Sequence, residues 1–189
     1  MGERYAETES RVLARDCDAV SVPWGQPETL PEGAYALVTQ RLGGSITVMC
    51  GGNLYRIAER DADALGLEPQ LPPPMPAPAE GEVDAAAVEQ NAWKVLATCY
   101  DPEIPIDIVN LGLVYGCTAE PLPEGGFRLE VRMTLTAPGC GMGTLIADEA
   151  REKLLGIPGV AEAEVKLVWD PPWSRELMSE AARLEMGML

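Results

Sequence analysis

Six prolines fall between Pro69 and Pro78, within EPQLPPPMPAPAEGE, and no other stretch of the chain limits its fold as strongly. Each proline fixes φ and removes a backbone donor, so neither a helix nor a central strand can run through the segment. It reads as an extended, semi-rigid spacer. A ligand for an SH3-type domain is the functional alternative. Either way, the chain must bury its apolar residues in two places, before the prolines and after them. At 189 residues and 47% hydrophobic content there is material for two small globular units. The expected layout is a flexible tail over residues 1–15, a small β domain over 16–68, the linker over 69–83 and a second domain over 84–189.

In the first unit, AVSVP and AYALVTQ carry strand-favouring residues, and Leu42-Gly43-Gly44-Ser45 is a turn signal. SITVMC alternates, with Ile46, Val48 and Cys50 on one face and Thr47 and Met49 on the other. Gly51-Gly52-Asn53 suits a hairpin turn. DADALG closes the unit as one helical turn, with Gly66 just beyond its end. About fifty residues bury only a modest core.

The second unit starts at Asp84, a good helix N-cap. Val88, Ala92, Val95, Leu96 and Cys99 follow helical spacing, so Cys99 is expected in the core, and the pattern stops at Asp101-Pro102. Ile108 to Cys117 is apolar enough for a buried strand. FRLEVRMTL alternates, placing Phe127, Leu129, Val131, Met133 and Leu135 on one face. Met142, Leu145, Ile146, Ala150 and Leu154 mark a helix ending at Gly156. AEAEVKLVWD is a further strand with Ala163, Val165, Leu167 and Trp169 buried, and RELMSEAARLEMG a last amphipathic helix. The fold class is therefore α+β: a small β unit, a linker, then an α-β-β-α-β-α domain. A hairpin followed by a strand–helix–strand crossover gives a mixed sheet with the helices packed on one face.

Charge and cysteine usage narrow the function. A net charge of −16 and a pI near 4.3 argue against nucleic-acid and anionic-membrane partners, which need clustered cations. No signal peptide opens the chain, and no apolar run approaches the roughly 20 residues of a spanning helix, so the expected location is the cytoplasm. The five cysteines, at 17, 50, 99, 117 and 140, form no CxxC and no disulfide framework. Histidine is absent. That removes the usual base of a Cys–His nucleophile and disfavours a closed zinc site. Cys17, Cys50, Cys99 and Cys117 sit in apolar strand or helix patterns, where thiols act as small hydrophobes.

Cys140 differs. In TAPGCGMGT, Pro138 stops what precedes, Gly139 and Gly141 flank the thiol, and a helical pattern follows at once. Unpaired N–H groups and the macrodipole at a helix start favour an anion, so this thiol should ionise more easily than free cysteine. The glycines let a metal, a small molecule or a partner's backbone approach closely. The bland alternative is a tight turn with a small residue at its centre. A second cluster, DPEIPID, sets Asp101, Glu103 and Asp107 in a loop stiffened by Pro102 and Pro105. By itself it is a helix stop with solvated charges. Beside Cys140, its carboxylates could join the sulfur on a transition metal or tune the thiol. A thiol enzyme is the competing class, but it lacks a base, and the first arginine after the cysteine, Arg151, is too distant for a phosphatase-type loop. A plain interaction module, with Cys140 incidental, is the third.

DPEIPIDIVNLGLVYG followed by MTLTAPGCGMGTLIADE resembles the PaaD-like family of iron–sulfur assembly domains, which includes cytosolic factors that deliver clusters to apoproteins. LVWDPPWSRELMSEAARLEMGML, together with RDCDAVSVPWG and LGGSITV, is similar to bacterial SufT-type members; the likeness covers roughly residues 15–68 and 84–189. What the resemblance implies is an auxiliary factor in iron–sulfur cluster assembly, transfer or maturation, working as adaptor or transient carrier rather than as an enzyme. The family's cleft residues fall on Asp101, Glu103, Thr136 and Cys140. Cys140 is the implied ligand for a transient iron–sulfur cluster or iron, with Asp101 and Glu103 behind it, and no organic cofactor is implied. Partners would be the assembly machinery and client apoproteins. Many members read Asn then Asp in NIxDLG, whereas this chain has Asp107 and Asn110, so the carboxylate has moved by three positions. Trp173 in DPPW either borders the cleft or packs in the core. A cluster generally needs about four cysteine ligands, so two copies of Cys140 across a homodimer, or Cys140 beside a partner's ligands, would hold one only briefly.

Overall fold

A computed structural model of the chain describes residues 9–70, 84–137 and 142–188, with Met142 described by its backbone alone. The chain forms two compact units, and the linker from residue 71 to 83 lies outside the described residues.

The first unit is an antiparallel sheet of six strands: β1 (Glu9–Val12), β2 (Cys17–Val22), β3 (Pro27–Leu30), β4 (Tyr35–Leu42), β5 (Ser45–Cys50) and β6 (Asn53–Ala58), in the spatial order β1-β4-β5-β6-β2-β3. Two turns of two residues set its register. Leu42 pairs with Ser45 and Cys50 with Asn53, so Gly43-Gly44 and Gly51-Gly52 are the loops. All four glycines have positive φ, the requirement of a turn whose twist matches that of its strands. Ile46, Val48 and Ile57 are fully buried, with Leu13, Cys17, Ala36 and Leu65 around them.

Residues 9–12, expected in a loose tail, instead pair with β4, and Leu13 beyond them is buried. Docking on a sheet is how a terminus becomes ordered. Thr47, expected opposite the core, is also buried, and its carbonyl accepts the Thr39 hydroxyl at 3.1 Å. The closing turn is a 3-10 helix from Glu59 to Leu65, longer than DADALG alone, and Gly66 ends it in the left-handed region. Glu59 is buried and takes the Arg41 guanidinium and the Gln70 N–H, which fixes where the chain leaves the unit.

The second unit contains α1 (Ala85–Leu96), β7 (Val114–Pro121), β8 (Phe127–Met133), α2 (Met142–Leu155), β9 (Val160–Leu167) and α3 (Glu180–Glu185). Asp84 caps α1 by accepting the Ala87 N–H at 2.7 Å. The sheet order is β7-β8-β9, antiparallel on one side of β8 and parallel on the other. Leu129, Val131 and Met133 of β8 are completely buried, whereas Arg128 and Arg132 are exposed on the opposite face. Helix α1 packs on β7, α2 packs on β9, and the two helices touch. The class is α+β, with the mixed sheet the alternation implies.

Four local expectations give way. Helix α1 stops at Leu96, five residues before Asp101, where Ala97 caps it. The apolar run from Ile108 does not begin as strand. Ile108, Leu111 and Leu113 are buried from within turns, and β7 starts at Val114. The last helix is broken in two, because Met178 is extended and Ser179 starts a new helix by accepting the Ala182 N–H. Trp169 is 45% exposed, and Ala163, Val165 and Leu167 are only half-buried, since β9 is an edge strand.

Candidate functional site

After α1 the chain turns through buried Cys99 and enters the acidic loop. Tyr100 and Asp107 form an antiparallel bridge, and Ile108 N–H donates to the Cys99 carbonyl at 2.9 Å, so the loop leaves and returns at one base. Asp101 is half-buried on that base and Glu103 is exposed further out. Burial raises the Tyr100 phenol above its ordinary range, and the Asp107 and Glu185 carboxylates push it the same way.

Asp107 is not part of the exposed acid cluster. Its carboxylate is buried and accepts N–H groups of Val109 at 3.0 Å and Asn110 at 2.9 Å, while the Asn110 side-chain amide donates to its second oxygen at 2.7 Å. The pair therefore clamps the turn that carries the chain from loop to sheet. Reading the sequence as a charge cluster overlooked this. The available signal was an aspartate three residues before an asparagine ahead of a glycine, a turn-forming pattern.

The thiol loop starts where β8 ends. Thr134 is buried, Leu135 is buried behind it, and Thr136 is exposed. Leu135 lies against the first turn of α2, where a Cβ on Gly143 would come within 2.1 Å of the Leu135 side chain. Glycine at 143 thus lets the two ends of the loop close on each other. Gly139, Cys140 and Gly141 lie outside the described residues, so the structure describes the base of this loop and not its thiol.

The two loop bases are tied by the backbone of the second unit. Cys99 carbonyl accepts from Ile108, Ile108 carbonyl from Leu113 at 2.9 Å, and Leu113 carbonyl from Thr134 at 2.8 Å. This relay runs from the foot of the acidic loop to the residue two before Thr136. Asp101 and Thr136 therefore stand on loops that spring from one hydrogen-bonded platform. The Thr134 hydroxyl, buried in that platform, has no hydrogen-bond partner among the described residues.

A C-terminal strap covers the same turn. Trp173 is half-buried and its indole N–H donates to the Leu111 carbonyl at 2.8 Å. Ser179 N–H donates to the Asn110 carbonyl, and Tyr115 hydroxyl to the Pro171 carbonyl, both at 2.9 Å. Gly112 sits beneath the strap at φ +71, where a Cβ would lie 2.2 Å from the Leu177 carbonyl oxygen.

The remaining thiols fit the role of small hydrophobes only in part. Cys17 and Cys99 are buried, whereas Cys50 and Cys117, expected in the core, are half-buried. Burial pushes the Cys17 thiol up, with Asp61 adding to it. Burial, reinforced by Glu89, takes Cys117 to about 11. Neither is a ready thiolate ligand at neutral pH. Among the described residues no group of three or more cysteines, aspartates or glutamates converges to hold a metal ion. No helix among them is long and apolar enough to cross a membrane.

These features coincide with a known family. The model of the family described as "Iron-sulfur cluster assembly protein" matches residues 89–166, which include both loops. The chain is 40% identical over 102 residues to the "Fe-S protein maturation auxiliary factor YitW" of Bacillus subtilis (strain 168), covering 54% of this chain and 96% of that protein. It is 44% identical over 88 residues to the "Fe-S protein maturation auxiliary factor SufT" of Staphylococcus aureus (strain USA300), covering 47% of this chain and 96% of the relative. A crystal structure titled "Domain of Unknown Function DUF59 from Bacillus anthracis" matches at 40% identity with a TM-score of 0.50, over 56% of this chain and 96% of that one. The chain belongs to the iron–sulfur cluster assembly family, in its SufT-type branch.

Proposed function

We propose that this chain serves iron–sulfur protein maturation as an adaptor or transient carrier, with Cys140 as the atom that meets the cargo. A role in maturation comes with family membership; the manner of it is our reading. The observation that supports it most is the backbone relay from Cys99 to Thr134, which roots the acidic loop and the thiol loop on one platform. Asp101 and Thr136 would then flank the approach to Cys140, with Gly139 and Gly141 leaving the sulfur uncovered. Cys140 lies two residues before the start of α2, where unpaired N–H groups favour the thiolate.

One good thiolate per chain is far from the four a resident cluster needs. A cluster or iron ion is accordingly cargo, shared with a second copy or a partner and released when a client apoprotein offers more thiolates. The carboxylates of Asp101 and Glu103 are weaker, harder donors that orient rather than retain iron. In this reading the protein is not an enzyme, works in the cytoplasm, needs no organic cofactor and touches neither nucleic acid nor membrane. Its partners are the assembly machinery and client apoproteins.

Anaerobic reconstitution with iron and sulfide tests the carrier form. The full chain should gain iron and sulfide-to-iron absorbance, and Cys140→Ser should gain neither. Identical, cluster-free spectra for both proteins would remove the carrier and leave the adaptor. Native affinity capture then decides that form, by recovering cluster-assembly proteins or iron–sulfur enzymes or by failing to.

A further inference from the structure

The described sheets present four edges, and three of them are guarded. Strands β1 and β3 are only four residues long, and β3 opens with Pro27. On β7 the Glu89 carboxylate of α1 takes the Ala119 N–H at 2.8 Å, and Pro121 ends the strand. Short strands, prolines and covering helices are the usual ways of keeping an edge from pairing with another chain. Strand β9 is protected more lightly, by α2 on one face and by the charges of Glu162, Glu164 and Lys166. It is eight residues long, contains no proline, and pairs with β8 alone.

Its side chains look unfinished in the same sense. Ala163, Val165 and Leu167 align with Leu129, Val131 and Met133, yet they remain half-exposed where those three are completely buried. A groove of about 390 Å³ runs beside the strand, lined by Ala161, Glu162, Ala163 and Glu164, by Arg128 of β8 and by Arg151 and Leu155 of α2. Leu155 is 40% exposed there.

We propose that β9 is the edge through which a second copy of this chain adds antiparallel to the sheet, joining two three-stranded sheets into one of six strands. The sequence VAEAEVKL is self-complementary about Val165. With Val165 facing Val165 of the second copy, Glu164 faces Lys166 of the other chain, and the reverse pair repeats across the two-fold axis. Ala163 faces Leu167, small against large, so the incoming leucine enters the groove beside Leu155. No like charges meet directly. Opposite charges and apolar pairs placed across from each other are the unit of strand-pair stability, and a two-fold axis makes every such contact count twice. This surface holds whether or not Cys140 ever binds iron.

The test exchanges charges on the full-length protein and reads its mass by sedimentation velocity across the micromolar range. Glu164→Lys replaces two opposite-charge pairs with two like-charge pairs, and so does Lys166→Glu. Each should weaken self-association on the order of tenfold. Mixing the two variants restores both pairs between unlike copies and should restore the dimer. That rescue separates the interface from any loss of intrachain pairs, since mixing leaves each fold as it was. A wild-type chain that stays monomeric overturns the proposal. So does a dimer indifferent to both charge variants, or a failure of the mixture to recover.

Discussion

The two units are held in order by contacts of different reach. In the first, β4, β5 and β6 follow one another through turns of two glycines, and nothing lies within 4 Å of where Cβ atoms on Gly51 and Gly52 would stand. In the second, the turn from Asp107 to Gly112 is fixed by residues far along the chain, as in the bond from Trp173 to Leu111 across 62 positions. The first kind of turn needs only its own residues. The second is complete only when the C-terminal strap has closed over it, so the foot of the acidic loop depends on the last quarter of the sequence.

One substitution made in both units sharpens this contrast most. Gly112→Ala must adopt a positive φ and also push the Leu177 carbonyl aside, and should cost roughly 3 kcal/mol of unfolding free energy. Gly51→Ala has the positive φ but open space, and should cost about 1 kcal/mol. Denaturant unfolding of the two variants measures the difference. Equal losses would mean that the strap yields freely and that the turn does not depend on it.

What could be read from sequence follows the same division. The Gly-Gly turns, the Asp84 cap, the alternation of β8 and the end of α2 at Gly156 depend on near neighbours, and each is found where the pattern puts it. The run from Ile108 to Leu113 carries the composition of a strand, but it is buried as a turn because the strap and the Asp107–Asn110 clamp satisfy its backbone. Trp169 belongs by parity with Val165 and Leu167, yet it lies past the end of β9, where no layer covers it. Both loops of the candidate site announce themselves by glycine, proline and carboxylate. The platform beneath them, a chain of bonds among Cys99, Ile108, Leu113 and Thr134, has no signature in residue type because it is made of backbone.

The thiols of Cys117 and Cys17, one half-buried and one buried, offer a second, smaller contrast. Cys117 of the second unit is held at about 11, above its ordinary 9.0, by burial and by Glu89. A thiol whose folded value exceeds its unfolded value costs nothing while both states keep the proton. Between about pH 9 and 11 the unfolded chain ionises first, so stability present below that window is lost as pH rises through it. Because the thiol is only partly shielded from solvent, the loss should be about 1–2 kcal/mol rather than the full linkage value. Denaturant midpoints across this window should fall more steeply for the wild type than for Cys117→Ala. Parallel curves would place the alkaline sensitivity elsewhere, with Cys17 of the first unit the next thiol to test, since burial raises it as well.

The smallest expected effect bears on the order of Asp107 and Asn110, which is the reverse of the order common in the family this chain resembles. In the structure the two side chains bond to each other across the turn, and the Asp107 oxygen also takes two backbone N–H groups. An asparagine at 107 keeps an amide oxygen for those N–H groups and gains an amide donor. An aspartate at 110 supplies the carboxylate to receive it. Asp107→Asn combined with Asn110→Asp should therefore change stability by less than about 1 kcal/mol, because the hydrogen bonds are exchanged rather than removed. Asp107→Ala, in contrast, strands two N–H groups in a buried turn and should cost about 2–3 kcal/mol. If the exchange costs as much as the alanine variant, the carboxylate at 107 has a duty beyond the clamp. If it is silent, this turn selects a carboxylate–amide pair and is indifferent to which residue supplies which half.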